Sequence, residues 1–548
     1  MADFKLSEYQ EKILNFFLTH PHDNILVNAL AGCAKSSTIC LLTEHTTTSD
    51  IYLAFNNSVA EEFRQKIKNP KTKVSTIHAL AYGIMNANLE DKSSTGGFGK
   101  RSFRADLDNL KIYKIVEDYF ASYDFLEKVF LKENYVSLYN LVRLTMTDIN
   151  NADEIERLID CHSLFFDFEH NFKRPSKQEV ASVIKYINQQ DWELFDKFHS
   201  IDFTDMTYIT YWKIKNKEWK VPYYNLYTNI YLDEGQDNNR LQQAYLPLIK
   251  RKGGRYVIVQ DKNQAIYFFS GADANACKRY STMFSPITEF ELPICYRCPV
   301  SHLTKVNKEF GIPILPRENA PAGEIQRIEK DEISKYIKGG DLVISRLNKW
   351  LAPVILDLVS NGISVYISDK EFVENIKKVV TKKQKVCRDT FDLENRLKKE
   401  VTKYNEKVFK ILKPNIYTDE AKTPLSLEEQ AATVADSNSK IDNINFVLSV
   451  LNYYNRTIGV TSLVKFLNYL TTLLNIYPNN NCVRLNSVHK AKGLEADNVF
   501  VLNEGKICRD VRNSPEMQQQ EKNLSYISLT RAKNKMYLVK EPTAQNKK

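Results

Sequence analysis

Short apolar runs recur along the chain, each followed by a small or polar loop and then a helical pattern. The runs are rich in β-branched and aromatic residues and apolar nearly throughout, which is typical of strands buried on both faces of a parallel sheet. They are NILVNAL (24–30), IYLAF (51–55), NIYLDE (229–234), RYVIVQD (255–261), DLVISR (341–346), ISVYI (363–367) and NVFVLN (498–503). The pattern predicts an α/β protein with two parallel sheets, one on each side of Pro313.

Two long stretches interrupt this alternation and have a helical pattern instead. The first, residues 86–200, is rich in Lys, Asp and aromatic residues and contains the polar loop 93–102. The second, residues 370–480, is highly charged and carries the lysines Lys377, Lys378, Lys382, Lys383 and Lys385. Each stretch is predicted to be a helical insertion into one sheet. The lysines are compatible with contacts to duplex phosphates and equally with a solvated helix face.

Composition narrows the class of protein. A chain of 548 residues is too long for one hydrophobic core, so about three or four structural units are expected. The 76 Lys and Arg against 67 Asp and Glu give a net charge of +9, which suits a polyanionic partner without requiring one. We expect a soluble, intracellular, cytoplasmic protein, because no apolar run is long enough for a membrane span and no signal peptide is recognisable.

Cysteine usage supports the same compartment. The nine cysteines are scattered along the chain, which favours a reducing interior over a disulfide framework. Cys295 and Cys298 form the one C-x-x-C in the sequence, and no second ligand pair lies near them, so a zinc site is not expected.

A candidate phosphate-binding loop, ALAGCAKSST (29–38), lies between the first apolar run and a helix. In such a loop, backbone amides and the helix N-terminus cradle phosphate oxygens. Lys35 would neutralise phosphate charge and the Ser36 hydroxyl would hold Mg²⁺. Ala34 replaces the glycine that normally precedes the lysine, and its Cβ is expected to strain the loop or crowd a nucleotide. The alternative is a small-residue turn with a surface lysine.

A second candidate element, YLDEGQD (231–237), follows an apolar strand. Asp233, at the end of the strand, is suited to coordinate Mg²⁺, and Glu234 is suited to activate water. A pair of acidic residues after a strand is often only solvated. Its position about 200 residues after a phosphate loop, with Gln236 attached, favours the catalytic interpretation.

Further motifs follow in order along the chain. They are LSEYQ (6–10), AFNNSVAEEFR (54–64), STIHALA (75–81), DFTD (202–205), QDKNQAIYFFSGA (260–272), LPICYR (292–297), SVHKAKGLE (487–495), and Glu521 with YISLTRAK (526–533). With the two elements above, this series resembles the UvrD/Rep/PcrA group of superfamily 1 DNA helicases. The resemblance implies two RecA-like motor domains with one ATP in the cleft between them. The compact insertions and altered phosphate loop are also compatible with a phage origin.

The resemblance assigns roles at the nucleotide. Gln10 would read the edge of adenine and Tyr296 would stack on it. The implied catalytic residues are Glu234 as base, Gln264 as sensor of the γ-phosphate, and Arg297 and Arg531 as arginine fingers. The implied cofactor-binding residues are Gln10, Gly32, Cys33, Ala34, Lys35, Ser36, Ser37, Asp233, Tyr296 and Glu495, with Ser36 and Asp233 as the Mg²⁺ ligands.

The resemblance also assigns a nucleic-acid surface. Its residues are Asn56, His78, Tyr267, Phe269 and His489, with Phe269 stacking on a base. Ser270 stands where the family usually carries an arginine, so one contact found in relatives is missing here.

Domain limits follow from the same resemblance. The first motor domain is predicted at 1–85 and 201–298, with its insertion at 86–200. The second is predicted at 299–369 and 481–540, with its insertion at 370–480. Residues 541–548 are predicted to be a disordered tail.

The expected activity is that of an ATP-dependent translocase or helicase, moving 3′ to 5′ on single-stranded DNA. Its cofactors would be ATP and Mg²⁺. Its partners would be single strands, junctions with duplex DNA, and replication or repair proteins, with no membrane. Ala34 and Ser270 motivate an alternative, a catalytically weakened strand-binding module or partner subunit. The motor subunit of a helicase–nuclease and an RNA-directed motor are further alternatives.

Overall fold

A computed structural model describes most of the chain. The described residues are 6–89, 104–122, 125–162, 164, 175–346, 350–361, 363–367, 370–384, 386–412, 427–459, 461–474, 481–503 and 515–540. The loop 93–102, Lys385 and the predicted tail 541–548 lie outside these ranges.

Strands occur throughout both halves of the chain. In the first half they are β1 (Asn24–Ala29), β2 (Asp50–Ala54), β3 (Thr72–Thr76), β4 (Asp106–Leu107), β5 (Ser200–Ile201), β6 (Tyr227–Leu232), β7 (Lys250–Gln260) and β8 (Ile287–Leu292). In the second half they are β9 (Ile294–Cys295), β10 (Leu315–Pro316), β11 (Glu324–Glu329), β12 (Leu342–Ser345), β13 (Val365–Ile367), β14 (Val483–Ser487), β15 (Ala496–Leu502) and β16 (Ala532–Lys540).

Helices alternate with these strands and also fill both predicted insertions. The first half contains α1 (Glu8–Thr19), α2 (Lys35–Glu44), α3 (Asn57–Lys66), α4 (Ile77–Leu89), α5 (Lys111–Tyr119), α6 (Phe125–Thr145), α7 (Ala152–His162), α8 (Lys177–Phe198), α9 (Asp205–Lys215), α10 (Arg240–Tyr245) and α11 (Ala276–Met283). The second half contains α12 (Val300–Phe310), α13 (Ile333–Tyr336), α14 (Leu351–Ser360), α15 (Lys370–Gln384), α16 (Thr390–Leu412), α17 (Leu427–Thr457), α18 (Leu463–Leu474), α19 (Val488–Ala491) and α20 (Pro515–Leu529).

Two six-stranded parallel sheets form the frame of the molecule. The order of the first is β3-β2-β6-β7-β1-β8, and the order of the second is β11-β16-β15-β12-β14-β13. All seven apolar runs in the sequence fall on strands of these sheets. The prediction of two parallel α/β sheets is therefore confirmed. The domain limits stay a prediction.

The cores explain how the sheets are held together. One hydrophobic cluster includes Val27 and Val259 of the first sheet and Ile344 and Val501 of the second, so apolar packing is continuous between the sheets. The helices α5–α8 bury a separate cluster of their own. No helix in the described part of the chain combines the length and apolar character that a membrane crossing requires.

Candidate active site and nucleic-acid interface

The phosphate loop begins where β1 ends and finishes where α2 begins at Lys35. Two of its residues have left-handed backbone conformations, Gly32 at φ +72° and Ala34 at φ +58°. A Cβ on Gly32 would lie 2.8 Å from Cys295 Sγ and 2.9 Å from the Cβ of Arg297, so only glycine is compatible with this packing. Ala34 keeps a Cβ in a conformation that costs an L-residue roughly 1–2 kcal/mol. The strain expected from its sequence position is thus present in the backbone.

The first turn of α2 is open to an anion. Ala34 is its N-cap and provides no side-chain hydrogen bond, and the first amides of a helix have no partner within the helix. Cys33 is buried, Ser36 is half-buried and Ser37 is exposed. Gln10 Nε2 donates to Thr38 Oγ1 at 3.1 Å, which holds α1 against this turn.

The two strand-end carboxylates lie opposite the loop. Tyr52 OH donates to Asp233 Oδ2 at 2.7 Å, and the Glu234 amide donates to Asp233 Oδ1 at 2.9 Å. Lys35 Nζ lies 2.8 Å from Glu234 Oε1. The lysine and the two acids that the sequence singled out therefore converge on one point.

Burial and charge set the protonation of this group. Burial lowers the pKa of Lys35, but Glu234, Asp261 and Asp233 outweigh it and the pKa is raised. Burial raises the pKa of Glu234, but Lys35 and Lys492 reverse the effect and hold it well below its usual range. Burial and the neighbouring Glu234 raise the pKa of Asp233. Glu234 is therefore the carboxylate held ionised by two cations.

Lys492 enters this site from the second half of the chain, where it directly follows α19. Its Nζ donates to Asp237 Oδ2 and, at 2.8 Å, to the backbone carbonyl of Gln264, and it lies 3.6 Å from Glu234 Oε2. The sequence marked Lys492 as part of a motif but gave the motif's role to Glu495. Its place in the K-G-L-E segment was the available signal.

Asp261 and Tyr526 join the site without having been predicted as site residues. Gln264 Nε2 donates to Asp261 Oδ2 at 2.6 Å. The amide of Ala31, in the phosphate loop, donates to the hydroxyl of Tyr526 at 2.9 Å, although the two residues are 495 positions apart. Tyr526 belongs to α20, so a helix of the second half contacts the loop directly.

The predicted arginines occupy different surroundings. Arg297 Nε donates to Glu495 Oε2 at 2.7 Å and its Nη1 to the Thr530 carbonyl at 3.2 Å. Arg531 is buried and donates to the Ile527 carbonyl at 3.0 Å and to the Thr530 hydroxyl at 2.9 Å. Burial, together with Arg297, lowers its pKa to about 10. The structure brings Arg297 and Glu495 together, while Arg531 bonds within its own half.

Tyr296 adjoins the phosphate loop through its backbone. Its amide donates to the Gly32 carbonyl at 2.9 Å, and its side chain is half-buried. The crossover between the sheets is therefore attached to the loop.

Three predicted strand-binding residues line one cavity of about 560 Å³. They are Asn56, His78 and Tyr267, which lie beside Phe55 and Phe203. The His78 and Phe203 rings stack at 4.2 Å, and those of Phe55 and Tyr267 at 5.0 Å. Asn56 also accepts a hydrogen bond from the Val59 amide and so caps α3.

The remaining two predicted strand-binding residues form a pair across the halves. Phe269 is 49% exposed, and its ring lies edge-on to His489 at 5.5 Å. The Tyr267 ring is 6.3 Å from that of Phe269, which connects this pair to the cavity. Ser270 Oγ donates to the Tyr267 carbonyl at 2.9 Å.

A buried ion cluster fixes the segment that carries Phe203. Arg143 Nη2 lies 2.5 Å from Asp202 Oδ2, and its Nη1 lies 2.7 Å from Asp205 Oδ1. Lys111 Nζ lies 2.6 Å from Asp191 Oδ1 and 3.0 Å from Asp205 Oδ2. The cluster joins α5, α6 and α8 to the start of α9, and its two cations were not predicted.

A phosphate loop and strand-end carboxylates lie on the first parallel sheet, and a lysine and a tyrosine from the second half of the chain contact them. This arrangement defines a two-domain P-loop nucleotide-binding protein. Two family models match the chain: the UvrD/REP helicase N-terminal domain over residues 8–285 and the UvrD-like helicase C-terminal domain over residues 171–542. The chain belongs to the UvrD/REP helicase family.

Individual relatives are distant. The probable DNA helicase II homolog of Mycoplasma pneumoniae is 24% identical over 72% of this chain and 64% of that protein. DNA helicase II of Salmonella typhimurium is 24% identical over 60% of this chain and 44% of that protein. The ATP-dependent DNA helicase PcrA of Staphylococcus aureus is 22% identical over 94% of this chain and 80% of that protein. The chain thus spans less than two thirds of the length of the DNA helicase II relatives.

Proposed function

We propose that this chain is an ATP-dependent motor that moves 3′ to 5′ along single-stranded DNA and separates strands at duplex junctions. The observation that carries the proposal is the position of Lys492. A cation from the second half of the chain contacts Asp237, Glu234 and the Gln264 carbonyl of the first half, so a change in the distance between the halves alters the charge around the hydrolytic carboxylate. Such a contact is what a motor needs to couple hydrolysis to domain movement.

The described residues fit a nucleotide with Mg²⁺. The uncapped first turn of α2 and Lys35 suit the phosphates. Gln10 contacts Thr38 and Tyr296 contacts Gly32, and these two residues are proposed to read adenine. Ser36 and Asp233 offer the hard oxygen ligands that Mg²⁺ prefers. The metal would neutralise charge on the phosphates during transfer. The Cβ of Ala34 is the one element that departs from this fit.

Glu234 is proposed as the base that activates water. With Lys35 and Lys492 beside it, Glu234 is a weak base, because two cations stabilise its charged form. Once Lys35 turns to a phosphate, one cation leaves Glu234 and its proton affinity rises. Gln264 is proposed as the γ-phosphate sensor.

Arg297 and Arg531 are proposed as arginine fingers, with Glu495 positioning Arg297 through the 2.7 Å contact. For Arg531 this role requires its guanidinium to exchange the Ile527 and Thr530 contacts for phosphate oxygens.

Single-stranded DNA is the proposed substrate of the aromatic surface. Bases would stack at the cavity lined by Asn56, His78 and Tyr267 and on the adjoining pair of Phe269 and His489. Stacking contributes about 1–3 kcal/mol per base regardless of sequence. That tolerance suits a translocating motor. The proposed substrate also implies a cytoplasmic location, with replication or repair proteins as partners.

The test is ATP hydrolysis with and without single-stranded DNA, beside Lys35→Ala and Glu234→Gln. We expect poly-dT to stimulate turnover more than poly-U does, and both substitutions to abolish it. Unwinding of duplexes with a 3′ tail but not with a 5′ tail supports the polarity. Strand binding without turnover would contradict the motor and support the weakened strand-binding module.

A further inference from the structure

A basic and aromatic surface lies at the edge of the first sheet away from the candidate active site. Parallel strands all begin at one edge, and β3, β6 and β7 begin at Thr72, Tyr227 and Lys250. The phosphate loop and the carboxylates follow strand ends, so they lie at the opposite edge. We define the basic tyrosine edge by its residues, which are Tyr223, Tyr224, Lys71, Lys73, Arg251 and Lys252.

The two tyrosines present their rings to solvent. Tyr223 is 74% exposed and Tyr224 is 67% exposed, more than any other aromatic side chain in the described part of the chain. They sit on a 3₁₀ turn closed by backbone hydrogen bonds, including one of 3.1 Å from the Leu226 amide to the Tyr223 carbonyl. The Arg251 guanidinium carbon lies 4.7 Å from the centre of the Tyr223 ring. An aromatic pair is therefore held outward by its backbone and flanked by a cation.

The charge around the rings is positive. Lys71, Lys73 and Lys252 are exposed and Arg251 is half-buried. Lys73 Nζ donates to Asn225 Oδ1 at 3.3 Å, which brings the start of β3 against the tyrosine turn.

A neighbouring carboxylate does not offset these cations. Asp50, which begins β2 at the same edge, is buried and accepts hydrogen bonds from Thr46, Thr48 and Asn229. Its charge is directed inward and already engaged, so Asp50 does not neutralise the lysines and the arginine beside the two exposed rings.

We propose that the basic tyrosine edge binds a second segment of single-stranded nucleic acid, separate from the strand proposed to bind at the cavity of Asn56, His78 and Tyr267. Exposed aromatic rings stack on any base, and lysine and arginine beside them contact the phosphates. An acidic protein segment would use the cations but would leave the adjacent rings without a role. The inference goes beyond the proposed function, and strand binding at this edge requires no ATP turnover.

The test is the number of strands bound per chain. A labelled dT oligonucleotide of about 12 nucleotides, within the roughly 4–16 that one strand-binding unit covers, is titrated onto the full chain without nucleotide. We expect two strands per wild-type chain and one strand per Tyr223→Ala/Tyr224→Ala chain, with second-site affinity lowered about tenfold or more. Phe391→Ala, which removes an aromatic that is 54% exposed in the second half, should still bind two.

The cations have their own readout. Neutralising Arg251 and Lys252 to Gln should reduce the slope of log affinity against log salt at the second site by roughly 1.4, since a single strand contributes about 0.7 per phosphate contact. Stimulation of ATPase activity by saturating DNA should be unchanged in both variants, which separates this surface from the cavity of Asn56, His78 and Tyr267. A single strand per wild-type chain would overturn the proposal. The proposal would also be overturned if polyphosphate displaced the second strand while the tyrosine substitutions left its affinity unchanged. The surface would then bind nucleic acid through its positive charge alone.

Discussion

Removing Arg143 is expected to loosen the joint between the helices α5–α8 and the first sheet. Its guanidinium is fully buried and contacts Asp191, Asp202 and Asp205, with distances of 3.4, 2.5 and 2.7 Å. Arg143→Met keeps much of the volume and removes the charge. Lys111 would then be the one cation left in this cluster. Burial, with the neighbouring Asp191 and Asp202, raises the pKa of Asp205 to about 8, so the charge that loses its partner at pH 7 is that of Asp202.

The size of the effect follows from that imbalance. Breaking a buried ion pair by removing one partner costs about 3–5 kcal/mol, because an uncompensated charge remains in a medium of low polarity. Burial raises the pKa of Asp202, but Arg143 outweighs it and the net pKa is lowered, so this carboxylate is charged at neutral pH. We therefore expect the free energy of unfolding of the first half to fall by about 3–5 kcal/mol at pH 7.

The assay is urea unfolding followed by tryptophan fluorescence. Trp192, Trp212 and Trp219 all pack against the core of the first half, so their signal reports on this region. The matched control is Arg396→Met. Arg396 pairs with Asp392 on an exposed helix face, where solvent screens the charges and loss of the pair should leave the free energy of unfolding nearly unchanged.

The pH dependence provides the refuting result. As pH falls through the lowered pKa of Asp202, the wild type loses the stability that this pair contributes, whereas the variant has none of it to lose. The gap between wild type and Arg143→Met should therefore narrow as the pH falls below about 4, the ordinary pKa of an aspartate. A cost equal to that of Arg396→Met, or a gap that widens on acidification, would refute the reasoning.

Three further expectations follow. Lys492→Met should lower the ATPase turnover number about ten- to a hundredfold, because a charged hydrogen bond contributes about 1.5–3 kcal/mol. The control Lys490→Met, at an exposed position of the same motif, should leave the turnover number unchanged. Ala34→Gly should raise the free energy of unfolding, measured in urea, by about 0.5–1 kcal/mol. This is the strain energy of the left-handed backbone that glycine relieves, minus the larger conformational entropy that glycine gives the unfolded chain. Burial lowers the pKa of His78 and His489 to about 4, so acidification from pH 7 toward 5 should lower the melting temperature, and replacing both by Gln should reduce that slope.

Each of these has an outcome that contradicts it. Unchanged turnover in Lys492→Met would mean that the second half of the chain does not influence hydrolysis through this lysine. Destabilisation by Ala34→Gly would mean that the alanine Cβ makes contacts worth more than the strain. If the melting temperature depended on pH equally in the wild type and the double histidine variant, the pKa values of these histidines would not be lowered by folding. The pKa of histidine in the unfolded chain is about 6.5. On acidification from pH 7 to 5 the unfolded chain therefore binds protons that the buried imidazoles do not, so the free energy of unfolding falls.

The sequence predicted the inner strands better than the outer ones. The apolar runs were recognisable because strands covered on both faces are apolar at every position. The strands β3, β8 and β11 were missed, and all three lie at sheet edges, where polar residues alternate with apolar ones, as in ITEFEL and EIQRIE. The internal strands β14 and β16 were also missed, because polar residues interrupt their apolar positions, as in VRLNS and AKNKMYLVK.

The site was predictable where local chemistry marked it. Lys35, Asp233 and Glu234 follow strands in segments whose composition indicates phosphate and metal chemistry, and the structure brings them together. Tyr526 and Arg143 could not be identified in this way. Each lies in an ordinary helical pattern, and its role arises from partners 495 and 59 residues away, respectively.

The contacts of Lys492 and Tyr526 also determine how the chain can be divided. A fragment ending near residue 298 would keep the phosphate loop and both acidic residues, yet Asp237 would lose its cation and the Ala31 amide its acceptor. Its complement would keep the lysine and the tyrosine with nothing to bind. The candidate active site is therefore formed at the interface between the two halves, and neither half contains all of its contacts.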